Sequence, residues 1–208
     1  MHRGLERHLD FWLDEARACG WTDAPPAAMP TPDALEGLLS DAGNALLYEG
    51  RRTRVYGTGN PRSELMFVGE GPGRLTSGHA VPVMGPAGEL LSRMIEQGMK
   101  RPRASVSLVN VVCTAAGQAP VDASECFPFL RAHIEALAPR VVVFLGPEVL
   151  RGFYPEAAGT TPNRGAWLEV AGRAVMPTFH PSYLLAQPEA KRAAWTDLKQ
   201  VMERLGWS

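Results

Sequence analysis

PRVVVFLG, residues 139–146, is the stretch from which the fold is read. Val141 to Leu145 is an unbroken apolar run of strand length, rich in β-branched residues and closed by Gly146, and it is the clearest buried strand in the chain. On its N-terminal side, residues 122–138 open with Asp122 and Glu125 at capping-box spacing. Cys126, Phe129, Leu130, His133, Ile134 and Leu137 then recur along one helical stripe. On its C-terminal side, Val149 to Phe153 suggest a short helix. Further out, ELMFVG (64–69), SVSLVNVV (105–112) and AVMPTF (174–179) repeat the strand pattern. Between and after them, residues 87–99 set Leu90, Leu91, Met94 and Ile95 on one helical face, and 188–205 do the same with Trp195, Leu198, Met202 and Leu205. Strands alternating with helices predict an α/β protein: a three-layer αβα sandwich around a central, mostly parallel four-stranded sheet.

The rest of the chain is bounded by simple arithmetic. At 208 residues, 45% hydrophobic and 21% charged, it has enough apolar material for one ordinary globular core. Residues 1–40 read as an N-terminal segment: a helix through Leu5, Leu9, Trp12 and Ala16, then the proline- and alanine-rich linker WTDAPPAAMPTPD (21–33), with Asp33 as cap of a second helix. Residues 41–208 read as the α/β domain. A net charge of −1 gives no global field for nucleic acid, although it leaves room for a local basic groove. Cys19, Cys113 and Cys126 are odd in number and widely spaced, which fits neither a disulfide framework nor a zinc site. A reducing compartment, the cytoplasm, is therefore expected. The N-terminus has no apolar signal region and no run approaches membrane-spanning length, so no membrane partner is expected.

In an open parallel sheet, ligands bind beyond the carboxyl ends of the strands. The residues at and after each strand end are therefore informative. The first strand ends in Gly69-Glu70-Gly71-Pro72-Gly73, the second contains Asn110 near its end, the third ends at Gly146, and the fourth runs into His180-Pro181-Ser182. A carboxylate, a carboxamide and an imidazole are thus predicted on one edge, beside glycine turns. Taken singly, each has a plain explanation: turn chemistry for the glycines, a strand-end hydrogen bond for Asn110, a structural histidine at 180. Cys126 and His133 lie on an apolar stripe and read as core. The glycine segment is not the GxGxxG fingerprint, and no GxSxG elbow, Walker lysine motif or HExxH is present.

At these strand ends the chain resembles the uracil-DNA glycosylase superfamily, and within it family four. The match begins near Arg52-Thr53-Arg54 and Gly59-Asn60-Pro61 and runs through LMFVGEGPG (65–73), PVMGPAGELL (82–91), NVV (110–112), ECFPFL (125–130), PRVVVFLG (139–146), RGAW (164–167), MPTFHPSYLL (176–185) and KRAAWTDLK (191–199). The resemblance implies excision of a flipped deaminated base, most simply uracil, from DNA. Typical members hold an iron–sulfur cluster on four cysteines. Here Ala42-Gly43-Asn44-Ala45 stands in place of the first two, Thr114 in place of the third, and Cys126 alone matches. No cluster, no other metal and no cofactor is expected. The aromatic residue on which the family's target base stacks is Val83 here.

The resemblance also implies roles. Glu70 and His180 would be catalytic: the carboxylate near the sugar, the imidazole donating to the base carbonyl on which charge develops. Asn110 would read the base with its paired donor and acceptor, while Gly69, Gly71, Gly73 and Val83 line the pocket. Arg74, Arg164 and Ser182 would contact phosphates. Tyr183 and Leu184, with Leu185, would enter the gap left in the base stack. The resemblance implies a monomer acting on damaged single- or double-stranded DNA. Two other readings fit the same residues: a weak or inactive homologue that binds damaged DNA without releasing a base, and a hydrolase of free nucleosides.

Overall fold

The computed structural model describes residues 45–49, 54–70, 85–112 and 127–207. Among them, seven strands form one mixed sheet: β1 (Ala45–Glu49), β2 (Arg54–Gly59), β3 (Leu65–Glu70), β4 (Ser107–Val112), β5 (Val141–Leu145), β6 (Leu168–Val170) and β7 (Arg173–Thr178), in the order β1-β2-β4-β3-β5-β7-β6. The helices are α1 (Gly85–Arg93), α2 (Phe127–Leu137), α3 (Pro147–Phe153), α4 (Thr160–Asn163), α5 (Pro181–Ala186) and α6 (Lys191–Leu205). The last turns of α1 continue as a π-helical segment, Met94–Gly98. Among the described residues, no helix is long and apolar enough to cross a membrane.

The four expected strands are the middle of this sheet. β4, β3, β5 and β7 lie side by side and every pair is parallel. Three antiparallel strands extend it: β2 along β4, β1 along β2, and β6 along β7. These three carry little sequence signal. RVYGTG is broken by glycines and LEV is too short to display a period.

Strand alternation assigns the side chains to two cores. Leu65 and Phe67 of β3, Val141, Val143 and Leu145 of β5, and Met176 of β7 face one layer, made by Leu91, Ile95 and Met99 around α1 and by Leu198, Val201 and Leu205 of α6. Met66 and Val68, Val142 and Phe144, and Val175 face the other, against Leu130, Ile134 and Leu137 of α2 and Val149 and Leu150 of α3. A strand buried on both faces must be apolar at every position, which is why VVVFL shows no alternation. Each such side chain contributes roughly 1.5–3 kcal/mol on burial. Helix packing on the second face is close enough to require a glycine. A Cβ on Gly152 of α3 would overlap the ring of Phe127, which also packs edge-on to Phe153.

His133 of α2 is buried as expected, at 1% exposure, and its Nε2 has no hydrogen-bond partner among the described residues. Removal from water pushes its pKa down to about 4. The helices expected over 1–20 and after Asp33, and the capping-box residues Asp122 and Glu125, lie outside the described residues.

Candidate active site

The topology itself marks one end of the sheet. The chain steps from β3 to its neighbour β4, then crosses to β5 on the other side of β3. α1 covers one face and α2 the other, so the connections after β3 and β4 part to opposite faces of the sheet, the kind of switch point at which open α/β sheets bind ligands. One rung of the sheet runs along this edge: Asn110 pairs with Gly69, Gly69 with Leu145, and Leu145 with Thr178. Just beyond it come Glu70 at the end of β3, Gly146 after β5, and His180 two residues after β7. With strands about 4.8 Å apart, β3 and β7 are roughly 10 Å apart across this edge. β4, which carries Asn110, is one strand further, roughly 14 Å from β7, so positions 69, 70, 110 and 180 are spread along one edge of the sheet. Gly71, Gly73, Arg74 and Val83 lie outside the described residues.

His180 opens the short helix that follows β7. It is the N-cap of α5, and the Ser182 backbone N–H donates to its Nδ1 at 3.2 Å. The Ser182 hydroxyl lies 2.7 Å from the same nitrogen. An imidazole nitrogen that accepts from a backbone N–H carries no proton, so the neutral ring is assigned its hydrogen on Nε2. That Nε2 is shielded from solvent and has no partner among the described residues. Burial lowers the His180 pKa below the usual histidine value, against an opposing pull from Glu148. The ring is thus neutral near pH 7, with one unused N–H donor. Gly146 makes room for it. Its backbone has φ +99° and ψ 169°, and a Cβ there would lie 3.3 Å from the His180 Cβ.

Two of the sequence expectations are corrected. Leu184 is not exposed; it is fully buried with Leu90, Phe179 and Ala194. In α5, Pro181 and Leu184 are three apart and both face inward, which turns Tyr183 and Leu185 to solvent. Among the described residues these two are the exposed large hydrophobics, at 46% and 40% exposure. The Tyr183 ring rests on Phe179 with centroids 4.9 Å apart. Arg164 is not presented as a phosphate ligand either. Its Nε and Nη2 donate to the two oxygens of Asp197 at 3.0 and 2.6 Å, and Nη2 also donates to the Ala193 carbonyl.

Asp197 was not singled out from the sequence, although a signal existed. Ala194, Leu198, Val201 and Leu205 form the buried stripe of α6, and Asp197 sits on that stripe with no exposed surface. An acid on an apolar stripe needs buried partners. Here they are Arg164 and the Thr178 hydroxyl, which donates at 2.7 Å. Burial raises the Asp197 pKa, while Thr178 and Arg164 pull it down. Glu148 was also missed; it stands in the first turn of α3, beside Gly146 and His180.

The profile of the uracil DNA glycosylase superfamily matches residues 56–199. A Type-4 uracil-DNA glycosylase of Thermotoga maritima is 36% identical over 163 residues, which cover 74% of this chain and 84% of that protein. Similar proteins of the same name occur in Archaeoglobus fulgidus, 30% identical over 77% of this chain and 86% of the relative, and in Sulfurisphaera tokodaii, 29% identical over 76% and 77%. A four-thiolate iron–sulfur cluster does not fit the donor set: the chain has three cysteines, one of them at position 19. Among the described residues, no group of three or more His, Cys, Asp or Glu is placed to hold a metal ion.

Proposed function

The chain belongs to the uracil-DNA glycosylase superfamily, and from that premise we propose that it hydrolyses the N-glycosidic bond of uracil flipped out of DNA, as a monomeric cytoplasmic repair enzyme. The observation that carries the reading is the unpaired Nε2–H of His180 at the carboxyl edge of the sheet, in a tautomer held by Ser182.

Breaking the bond between base and sugar leaves negative charge on the base and positive charge on the sugar. His180 donates its Nε2–H to the base carbonyl as that charge develops. A fixed neutral donor needs no reorganisation at the moment of reaction and contributes about 3–4 kcal/mol in the transition state. Asn110, three strands away along the same edge, reads the base: its carboxamide matches adjacent carbonyl and N–H groups and leaves cytosine's amino group opposite another donor. Glu70 stands by the sugar, where a carboxylate stabilises the cationic carbon or orients water. Gly69, Gly71 and Gly73 allow the backbone to approach the base. Flipping costs a few kcal/mol, which Tyr183 and Leu185 offset by filling the gap, with Ser182 and Arg74 on the phosphates. Val83 offers a smaller floor than an aromatic ring and gives up roughly 1–3 kcal/mol of stacking. Slow turnover, or a preference for another deaminated base, is the expected consequence.

A labelled oligonucleotide with a single uracil, incubated with the protein and then treated with alkali, tests the reading; hypoxanthine in the same position tests the shifted preference. Strand cleavage is expected, reduced about 10²–10³-fold in His180→Ala and lost in Asn110→Ala. Tight binding of the oligonucleotide with no base released would instead identify a DNA-binding homologue without chemistry.

A further inference from the structure

The end of β7 is tied to the interior by charge as well as by apolar contact. Thr178, the last residue of the strand, is fully buried, and its hydroxyl donates to Asp197 Oδ2 at 2.7 Å. Its carbonyl accepts from the Gly146 N–H at 3.0 Å. The next residue, Phe179, has its ring between the Arg164 guanidinium, 5.6 Å from the ring centroid, and Tyr183. Arg164 is in turn held by both Asp197 oxygens. Gly165, next to Arg164, leaves the pair room: a Cβ there would lie 3.2 Å from Asp197 Oδ1. Both residues leading into His180 are therefore gripped by one buried ion pair contributed by α6 and the segment after α4.

Stability alone gives no reason for this arrangement. A buried ion pair is commonly matched or surpassed by apolar residues of the same volume. What it supplies is direction: a hydroxyl donor aimed at a carboxylate has one geometry, whereas an apolar contact tolerates sliding. Small displacements at a catalytic group are costly, on the order of 10²-fold for 1 Å. We propose that Asp197, with Arg164, is a positioning residue for His180, acting through the Thr178 hydroxyl to set where the imidazole meets the base. The proposal rests on the role given to His180 above.

Thr178→Val is the decisive variant, because it removes only the hydroxyl and keeps the Arg164–Asp197 pair. On the uracil oligonucleotide, kcat is expected to fall about tenfold or more with KM unchanged, and Thr178→Ser to restore it. A second readout needs no turnover. Nitrogen chemical shifts of the His180 ring are expected to report a single Nε2–H tautomer in the parent protein and in Thr178→Ser, and an averaged or broadened signal in Thr178→Val. Wild-type kcat and an unchanged ring signal in Thr178→Val, whatever its melting temperature, would overturn the proposal. If the parent protein releases no uracil, the glycosylase reading fails on that result alone, and the ring signal still decides whether the Thr178–Asp197 contact positions His180.

Discussion

His180 and His133 show how one residue type is put to opposite uses. His180 keeps its Nδ1 engaged and its Nε2–H unused at the sheet edge; His133 is enclosed by the α2 layer with nothing opposite its Nε2 among the described residues. His133 therefore makes the fold acid-sensitive. In the unfolded chain its ring takes up a proton near pH 6.5, in the folded chain only near 4. Between those values the unfolded state binds more protons, so stability falls as pH drops from 6.5 to 4, by on the order of 3 kcal/mol. Urea unfolding at a series of pH values is expected to show this loss in the parent protein and a smaller one in His133→Leu, where the lowered pKa of His180 still contributes. Leu184 and Leu185 make a second contrast between adjacent side chains. Leu184→Ala opens a cavity under α5 and is expected to cost about 2–5 kcal/mol in denaturant unfolding. Leu185→Ala is expected to change stability by less than about 0.5 kcal/mol while slowing excision from double-stranded more than from single-stranded DNA. Equal effects of the two variants on stability would contradict the inward and outward assignments.

At the scale of elements, the site is made by what happens where strands stop. β5 leaves the sheet through Gly146, whose φ of +99° with ψ of 169° is a backbone state essentially confined to glycine. That turn starts α3 and leaves space for the His180 Cβ. Gly146→Ala is expected to lower stability by about 1–3 kcal/mol, measured by thermal or denaturant unfolding. It should also depress kcat, because the added methyl crowds His180; a variant with full activity would show that the turn does not govern the imidazole. β7 leaves through Phe179 into α5, a helix of 6 residues whose first turn supplies the backbone N–H that orients His180. The edges are treated differently. The hydroxyl of Tyr154 donates to the Glu169 carbonyl and accepts from the Glu169 N–H, so part of the β6 edge is closed off by a side chain.

At the scale of the molecule, the parallel strands of the sheet are packed on both faces, and three cysteines are too few for a four-thiolate cluster. The purified protein is expected to be colourless, without the visible absorption of an iron–sulfur cluster and without stoichiometric iron; brown protein with about four irons per chain would show that ligands other than cysteine complete a cluster. The parallel core was legible in the linear chain because its strands are enclosed on two faces. ELMFVG, SVSLVNVV, VVVFLG and AVMPTF are near-continuous apolar runs, and burial leaves them few alternatives. The positions at the strand ends, Gly69, Glu70, Asn110 and His180, were legible for the same reason, since locating a parallel strand locates its carboxyl end. The antiparallel strands were not, because glycine-broken or short segments such as RVYGTG and LEV carry little hydrophobic constraint. Nor could local pattern tell which of Leu184 and Leu185 faces the core, or that Arg164 serves Asp197, 33 residues away, in preference to solvent or ligand. Periodicity is a property of neighbours along the chain, so it reveals which segments are enclosed. Side-chain direction and ion pairing depend on elements that meet only when the sheet and its helices pack, and that information exists only in three dimensions.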